Sequence, residues 1–317
     1  MLFYTHDDCL GHEVQRGHPE RPDRLRAVNE SLSASGLTDS FDCRTAQPID
    51  ADGLAAIHGR SYLDQLNAAS PASGLVRLDP DTAMSPGTLR AAALAAGAVT
   101  GAVREVLSGV DKRAFCAVRP PGHHAEMGAA MGFCYYNSIA LGAVEALEQV
   151  GRVAILDFDV HHGNGTVDAF KDRPEALVCS SFQHPFYPYR YVDVDARNIV
   201  NTPLPAETDG AAFRRAIERD WATAINAHRP DLILVSAGFD AHRDDPLGGL
   251  LLDDEDFRWV TEFIVDLAES HAGGRVVSAL EGGYDLAALG RCAVLHAEAL
   301  QGPADWQAVD SSLRSSS

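Results

Sequence analysis

Short, almost unbroken apolar runs alternate with longer stretches of helical periodicity along most of this 317-residue chain. The short runs are 114–118, 153–158, 176–179, 232–235 and 276–280. Each is brief and apolar at nearly every position, the pattern of a strand covered on both faces. A further run at 2–4 reads as an edge or opening strand. Helical periodicity fills 138–149, 209–228, 254–271 and 285–300. The apolar stretch 91–103, rich in alanine and glycine, is too short to span a bilayer and reads as a buried helix. Ser85-Pro86 offers an N-cap and first helical residue for that helix, which would run to about Val106. No repeat or low-complexity linker divides the chain. The alternation predicts an α/β fold: one domain over 1–310, a mostly parallel sheet flanked by helices, and a disordered tail at 311–317.

In such sheets ligands bind beyond the carboxyl ends of the strands. Four of the predicted strands release reactive side chains at that end. AFCAV is followed by RPPGHH, VAILDF by DVHHGNG, LILVSAG by FDAH and VVSAL by EGGY. These groups therefore belong to one pocket.

Asp157, Asp159 and His161 follow one another at spacing two, which places them on one face of extended chain. Asp159 and His161 can reach a common ion, Asp157 lies deeper in the sheet, and Asp240 can supply a third ligand. Two carboxylates and one imidazole leave a position open for water, the layout of a catalytic zinc site. The ordinary alternative for each aspartate is a helix cap or an acceptor for loop amides. The adjacent histidines His123 and His124 follow a stiff RPPG segment. One of them can take a proton from water and return it to a leaving amine. Each ring needs a partner that sets its tautomer; Asp157 suits one and Asn164 the other. Tyr284, after two glycines, can donate a hydrogen bond to an oxygen that gains charge when a carbonyl is attacked. Alone, GGY more often marks a turn carrying a packed ring.

The blocks HPERPDRL, DPDTAMSP, RPPGHHAEMGAAMGFCYYN, LDFDVHHGNGT, AGFDAH and LEGGYDLAAL resemble, in order, those of the histone deacetylase family. The likeness runs from about residue 3 to 300, and GFCYYN and LEGGY are similar in style to its class II branch, which includes bacterial amidohydrolases. The resemblance implies an arginase/deacetylase fold with a sheet of about eight strands. It implies zinc on Asp159, His161 and Asp240, His124 as general base, His123 as general acid or electrostatic partner, and Tyr284 polarising the acyl carbonyl. It further implies a structural potassium ion on Asp157 and Ser180, and a narrow tube walled by Phe133 and Tyr187, with Gly132 accepting the amide N–H. Asp81 falls where the family grips the substrate backbone, and Arg21 or Arg24 would line an exit for the carboxylate product. Two departures stand out. Residues 187–201 read YPYRYVDVDARNIVN, where the family has a glycine-rich stretch. Leu247 stands where polyamine-specific relatives can carry an acid, which leans toward acyl-lysine.

Charge adjusts this picture. Lysine and arginine total 26 against 45 acidic residues, a net charge of −19. Such a balance repels phosphate backbones, which argues against direct nucleic-acid binding, and it steers cationic ligands inward. The expected partner is an acylated amine, acyl-lysine or acylpolyamine, and a homo-oligomer is allowed. The six cysteines lack CxxC pairs and read as reduced, mostly buried thiols. The N-terminal MLFYTHDD lacks the layout of a signal peptide, and a cytoplasmic protein with no membrane segment is expected. The reaction expected is hydrolysis of an N-acyl amine. Its rivals are acetylpolyamine hydrolysis, a two-manganese ureohydrolase on the related fold, and a non-catalytic acyl-lysine-binding module.

Overall fold

The computed structural model describes residues 1–302; the expected tail at 311–317 and the end of the expected domain lie outside the described residues. In chain order the strands are β1 (Leu2–Thr5), β2 (Asp42–Thr45), β3 (Val76–Arg77), β4 (Ala83–Met84), β5 (Arg113–Cys116), β6 (Val153–Asp157), β7 (Ala176–Gln183), β8 (Ile199–Leu204), β9 (Leu232–Ala237) and β10 (Val276–Leu280). The helices are α1 (Asp23–Ala34), α2 (Ala51–Leu54), α3 (Arg60–Ala69), α4 (Thr88–Leu107), α5 (Ser138–Leu147), α6 (Asn164–Phe170), α7 (Gly210–Ile217), α8 (Thr223–His228), α9 (Asp254–His271) and α10 (Leu286–Gln301).

Eight strands form one sheet in the order β2-β1-β5-β10-β9-β6-β7-β8, and every pairing in it is parallel. The fold is thus the single α/β domain that the alternating periodicity predicts. The inner strands β6, β9 and β10 are buried at every position, since helices cover both faces. On one side lie α1, α9 and α10; on the other, α4 and α5. Alanine and glycine along α4 let it sit close to the sheet, so thirteen of its residues are buried.

Several boundaries differ from expectation. β7 extends to Gln183, because the polar Ser180, Ser181 and Gln183 are buried in the sheet and continue its pairing with β8. The helix expected from Ser85-Pro86 begins at Thr88. Ser85 Oγ stands 3.1 Å from Thr88 Oγ1, and the Ser85 N–H donates to the same hydroxyl, so the serine closes a turn ahead of the helix. The periodicity at 209–228 is one helical stretch interrupted by a π-turn at Glu218–Ala222. Strand β1, expected as an edge or opening strand, opens the chain but is internal to the sheet, with β2 beyond it at the border. Cys43, on that border, is exposed; the other five cysteines are buried.

Candidate active site

The segments after β5, β6, β9 and β10 meet over the middle of the sheet, since these four strands are consecutive in it. Asp157 is the last residue of β6 and is fully buried. Two and four residues on, Asp159 and His161 turn toward Asp240, which follows β9. The Nδ1 of His161 stands 3.1 Å from Asp159 Oδ1 and 3.1 Å from Asp240 Oδ2. Remaining carboxylate oxygens accept backbone N–H groups: Gly282 donates to Asp159 Oδ2 at 2.8 Å and Val160 to Asp240 Oδ1 at 2.8 Å. Gly282 is needed for this approach, because a Cβ there would overlap Asp240 Oδ2 and Asp159 Oδ2. Burial and the charge of Asp159 push the Asp240 carboxyl up to about 7. A cation between the two carboxylates would remove that penalty, so the donor set fits a metal ion. Together the three residues form one of two groups of potential ligands among the described residues. In the other, His242–Asp254–Cys292, His242 Nδ1 accepts the Asp244 N–H at 3.1 Å. Its Nε2 must therefore carry the proton it donates to Asp254 at 2.9 Å, and no lone pair is left for a metal.

His123 and His124 reach the same place from the RPPG segment, their rings 4.1 Å apart. His123 Nδ1 donates to Asp157 Oδ2 at 2.9 Å. His124 Nδ1 donates to Asn164 Oδ1, at the start of α6, at 2.7 Å. Both partnerships match the sequence reading. Their electrostatics differ. Burial alone would lower His123, but the charges of Asp157 and Asp159 outweigh it and hold the ring well above its ordinary value. His124 is held well below by burial and by the neighbouring His123 and His161.

Tyr284 follows β10. Burial keeps its phenol well above the ordinary value, so it remains a donor. Its backbone N–H donates to Asp245 Oδ2 at 2.6 Å, and its ring lies 4.8 Å below the Arg24 guanidinium. Arg24 also donates to the carbonyls of Gly283 and Glu281 at 2.5 Å each. Of the two arginines considered for an exit, Arg24 is the one at the site; Arg21 pairs with Asp23 near the surface. Behind Arg24, the buried Glu20 accepts from Arg119 Nε and Nη2 at 2.6 and 2.8 Å while Arg119 Nη1 donates to the Cys9 carbonyl, which anchors the RPPG segment.

A cavity of about 190 Å³ opens above these groups, lined by His124, His161, Tyr284, Gly132, Phe133, Phe186, Tyr187, Leu247 and Asp81. Every expected wall residue therefore reaches it. Gly132 has φ +55°, and a Cβ there would strike the His124 ring. Ser180 lies opposite Asp157 across the β6–β7 ladder; its hydroxyl is buried with no protein partner.

Four residues were given no role by sequence reasoning. Phe186 stacks on His161, with ring centroids 5.4 Å apart. Glu281 accepts the N–H groups of Gly122 and His123 at 2.6 and 3.1 Å. Asp245 holds the Tyr284 backbone, and Glu126 accepts from Asn164 Nδ2 at 2.8 Å. Glu281 had a usable signal, a lone acid directly after an apolar strand. The others lie on loops whose sequence has no period to place them.

Comparison with known proteins agrees with this geometry. The family model for the histone deacetylase domain matches residues 18–300. A histone deacetylase-like amidohydrolase of Pseudomonas aeruginosa is 38% identical over 295 residues, covering 90% of this chain and 77% of the relative. A probable deacetylase of Archaeoglobus fulgidus is 34% identical, covering 89% and 80%. The crystal structure of the HDA15 HD domain superposes with a TM-score of 0.89 at 33% identity, covering 95% of this chain and 89% of that one. Fold, order of blocks and site geometry thus lead to one conclusion: the chain belongs to the histone deacetylase family.

Proposed function

We propose that this protein is a zinc-dependent deacylase that hydrolyses N-acyl amines, with acyl-lysine the favoured substrate. The observation that carries the reading is the meeting of Asp159, His161 and Asp240 beneath a cavity also lined by His124 and Tyr284. Asp159, His161 and Asp240 would hold the zinc ion, which would supply Lewis acidity toward water and the acyl carbonyl. His124, with its Nδ1 proton committed to Asn164, offers a free Nε2 lone pair to take the proton of the attacking water. Tyr284 donates its phenolic proton in a hydrogen bond to the acyl oxygen as charge develops there. His123, kept protonated by Asp157, delivers a proton to the amine nitrogen as the C–N bond breaks. The products of R–NH–CO–R′ plus water are R–NH₂ and R′–COOH. Phe133 and Tyr187 flank the acyl-bearing chain, Gly132 accepts its amide N–H, and Asp81 at the mouth holds the substrate backbone. Asp157 and the buried Ser180 hydroxyl, which has no protein partner, are the residues that would hold a structural potassium ion. Leu247, an apolar residue on the cavity wall, favours acyl-lysine over a polycation.

The test is turnover of a fluorogenic acetyl-lysine amide, compared with acetylputrescine and acetylspermidine, with metal content measured alongside. One zinc per chain, loss of activity on chelation and its return with zinc are expected. Tyr284→Phe should retain zinc and lose about a hundredfold or more in kcat. Undiminished hydrolysis after complete demetallation ends the reading, and two metals per chain would favour the ureohydrolase alternative.

A further inference from the structure

The partner of His124 is an amide, and an amide can face either way. With Oδ1 toward the ring, Asn164 accepts the Nδ1 proton and leaves Nε2 free. Turned over, its NH₂ would face Nδ1, and the proton would have to move to Nε2, where a base needs a lone pair. Something must hold the amide in the first orientation. Its Nδ2 lies 2.8 Å from Glu126 Oε1, and also approaches the His124 carbonyl at 3.4 Å and Met131 Sδ at 3.2 Å. An ionised carboxylate only accepts, so the turned amide would set Oδ1 against Oε1 with no proton between them. The other Glu126 oxygen faces Arg190 Nη1 at 3.2 Å. Arg190 belongs to the 188–200 rim segment, where the sequence departs from the family's glycine-rich stretch.

We propose that Glu126 and Arg190 are positioning residues: the Arg190–Glu126 pair locks the Asn164 amide, and through it the tautomer of His124 that can accept a proton. The inference rests on His124 being the base. Burial pushes the Glu126 carboxyl upward, while the Asn164 amide and Arg190 pull it down. Burial outweighs them, and Arg190 opposes that rise, favouring the charged form of the lock. The line Arg190–Glu126–Asn164–His124 runs from the surface to the reacting centre without touching substrate. It ties the rim of the cavity to the chemistry at its floor.

Glu126→Gln preserves shape but can present either a donor or an acceptor to Asn164. Its kcat should fall about tenfold with KM within about twofold, at unchanged zinc content and thermal midpoint. Asn164→Asp alone apposes two carboxylates and should also be slow. The double variant Glu126→Gln/Asn164→Asp restores an acceptor-only partner for Nδ1, itself held by the side-chain amide introduced at position 126. It should turn over faster than either single variant, though short of wild type because the anion now at Nδ1 raises His124, a recovery that a purely structural role would not give. Arg190→Ala, on the half-exposed rim, should lower kcat about threefold and tests the pair even if a buried variant fails to fold. If His124→Ala keeps wild-type turnover, the base assignment fails and the proposal falls with it. If His124→Ala is inactive while Glu126→Gln matches wild type, or the double variant is no faster than Glu126→Gln, the base stands and the lock is overturned.

Discussion

Beneath the cavity, outside its lining, His123 points into a group of carboxylates, Asp157 and Asp159 with Glu281 behind them. On its wall, one residue further along the chain, His124 meets the neutral Asn164. Both rings are buried, and burial acts on each in the same downward direction. What separates them is charge: anions raise His123, whereas the neighbouring His123 and His161 lower His124 further. A tandem pair thereby becomes one proton donor and one proton acceptor, with no difference in residue type. The lesson is that roles are set by what lies beyond each ring, at Nδ1.

Removing the acceptor should have the largest effect. His124→Ala is expected to cost about a thousandfold in kcat with zinc retained, and a loss below tenfold would erase the distinction between the two rings. Next comes Asp157→Asn, which removes the first charge that holds His123 up. In the proposed mechanism the protonated ring is the working form and is lost above its pKa, so the alkaline limb of the kcat/KM profile should move to lower pH. Turnover near neutrality should fall about tenfold. An unmoved limb would show that Asp157 does not set the state of His123.

A third prediction concerns stability, and it shows burial acting without compensating anions. His296 is fully buried between the hydroxyls of Thr261 and Ser278, at 2.7 and 2.8 Å, and burial pushes it down to about 3; His58 is pushed down to about 4. As pH falls below about 6.5 the unfolded chain protonates both, and the folded chain neither. Stability is therefore full above that pH and lost on acidification, by up to ~1.4 kcal/mol per pH unit for each ring until its folded value is reached. Urea midpoints between pH 7 and 5 measure this slope, which His296→Gln should flatten.

The inner sheet was legible because burial on both faces demands unbroken apolar runs, as in 153–158 and 232–235. The edge strands β2 and β8 were not. β2 reads DCRT and is largely exposed, and β8 reads IVNTPL, with Asn201 and Pro203 at positions that need no apolar residue. Helices α1 and α3 are mostly polar, and a single narrow stripe of leucine, valine and tyrosine fixes each. At the site, the convergence of Asp159, His161 and Asp240 and both histidine partners could be read because strand periodicity fixes direction near strand ends. Phe186, Asp245 and Glu126 could not, since their directions depend on loops shaped by distant contacts. Glu20 was visible only as part of the HPERPDRL block; its pairing with Arg119 spans 99 positions and leaves no local mark.

The four strands whose ends carry the site occupy the middle of the sheet, and contacts such as His123 N–H to Glu281 join residues 158 positions apart. Loop closure over such spans is slow and comes late. During synthesis the chain should therefore stay inert until β10, the last of the eight strands in chain order, has emerged and slotted between β5 and β9. Catalysis switches on only with completion of the whole sheet, so a nascent chain lacking β10 cannot release uncontrolled hydrolytic activity.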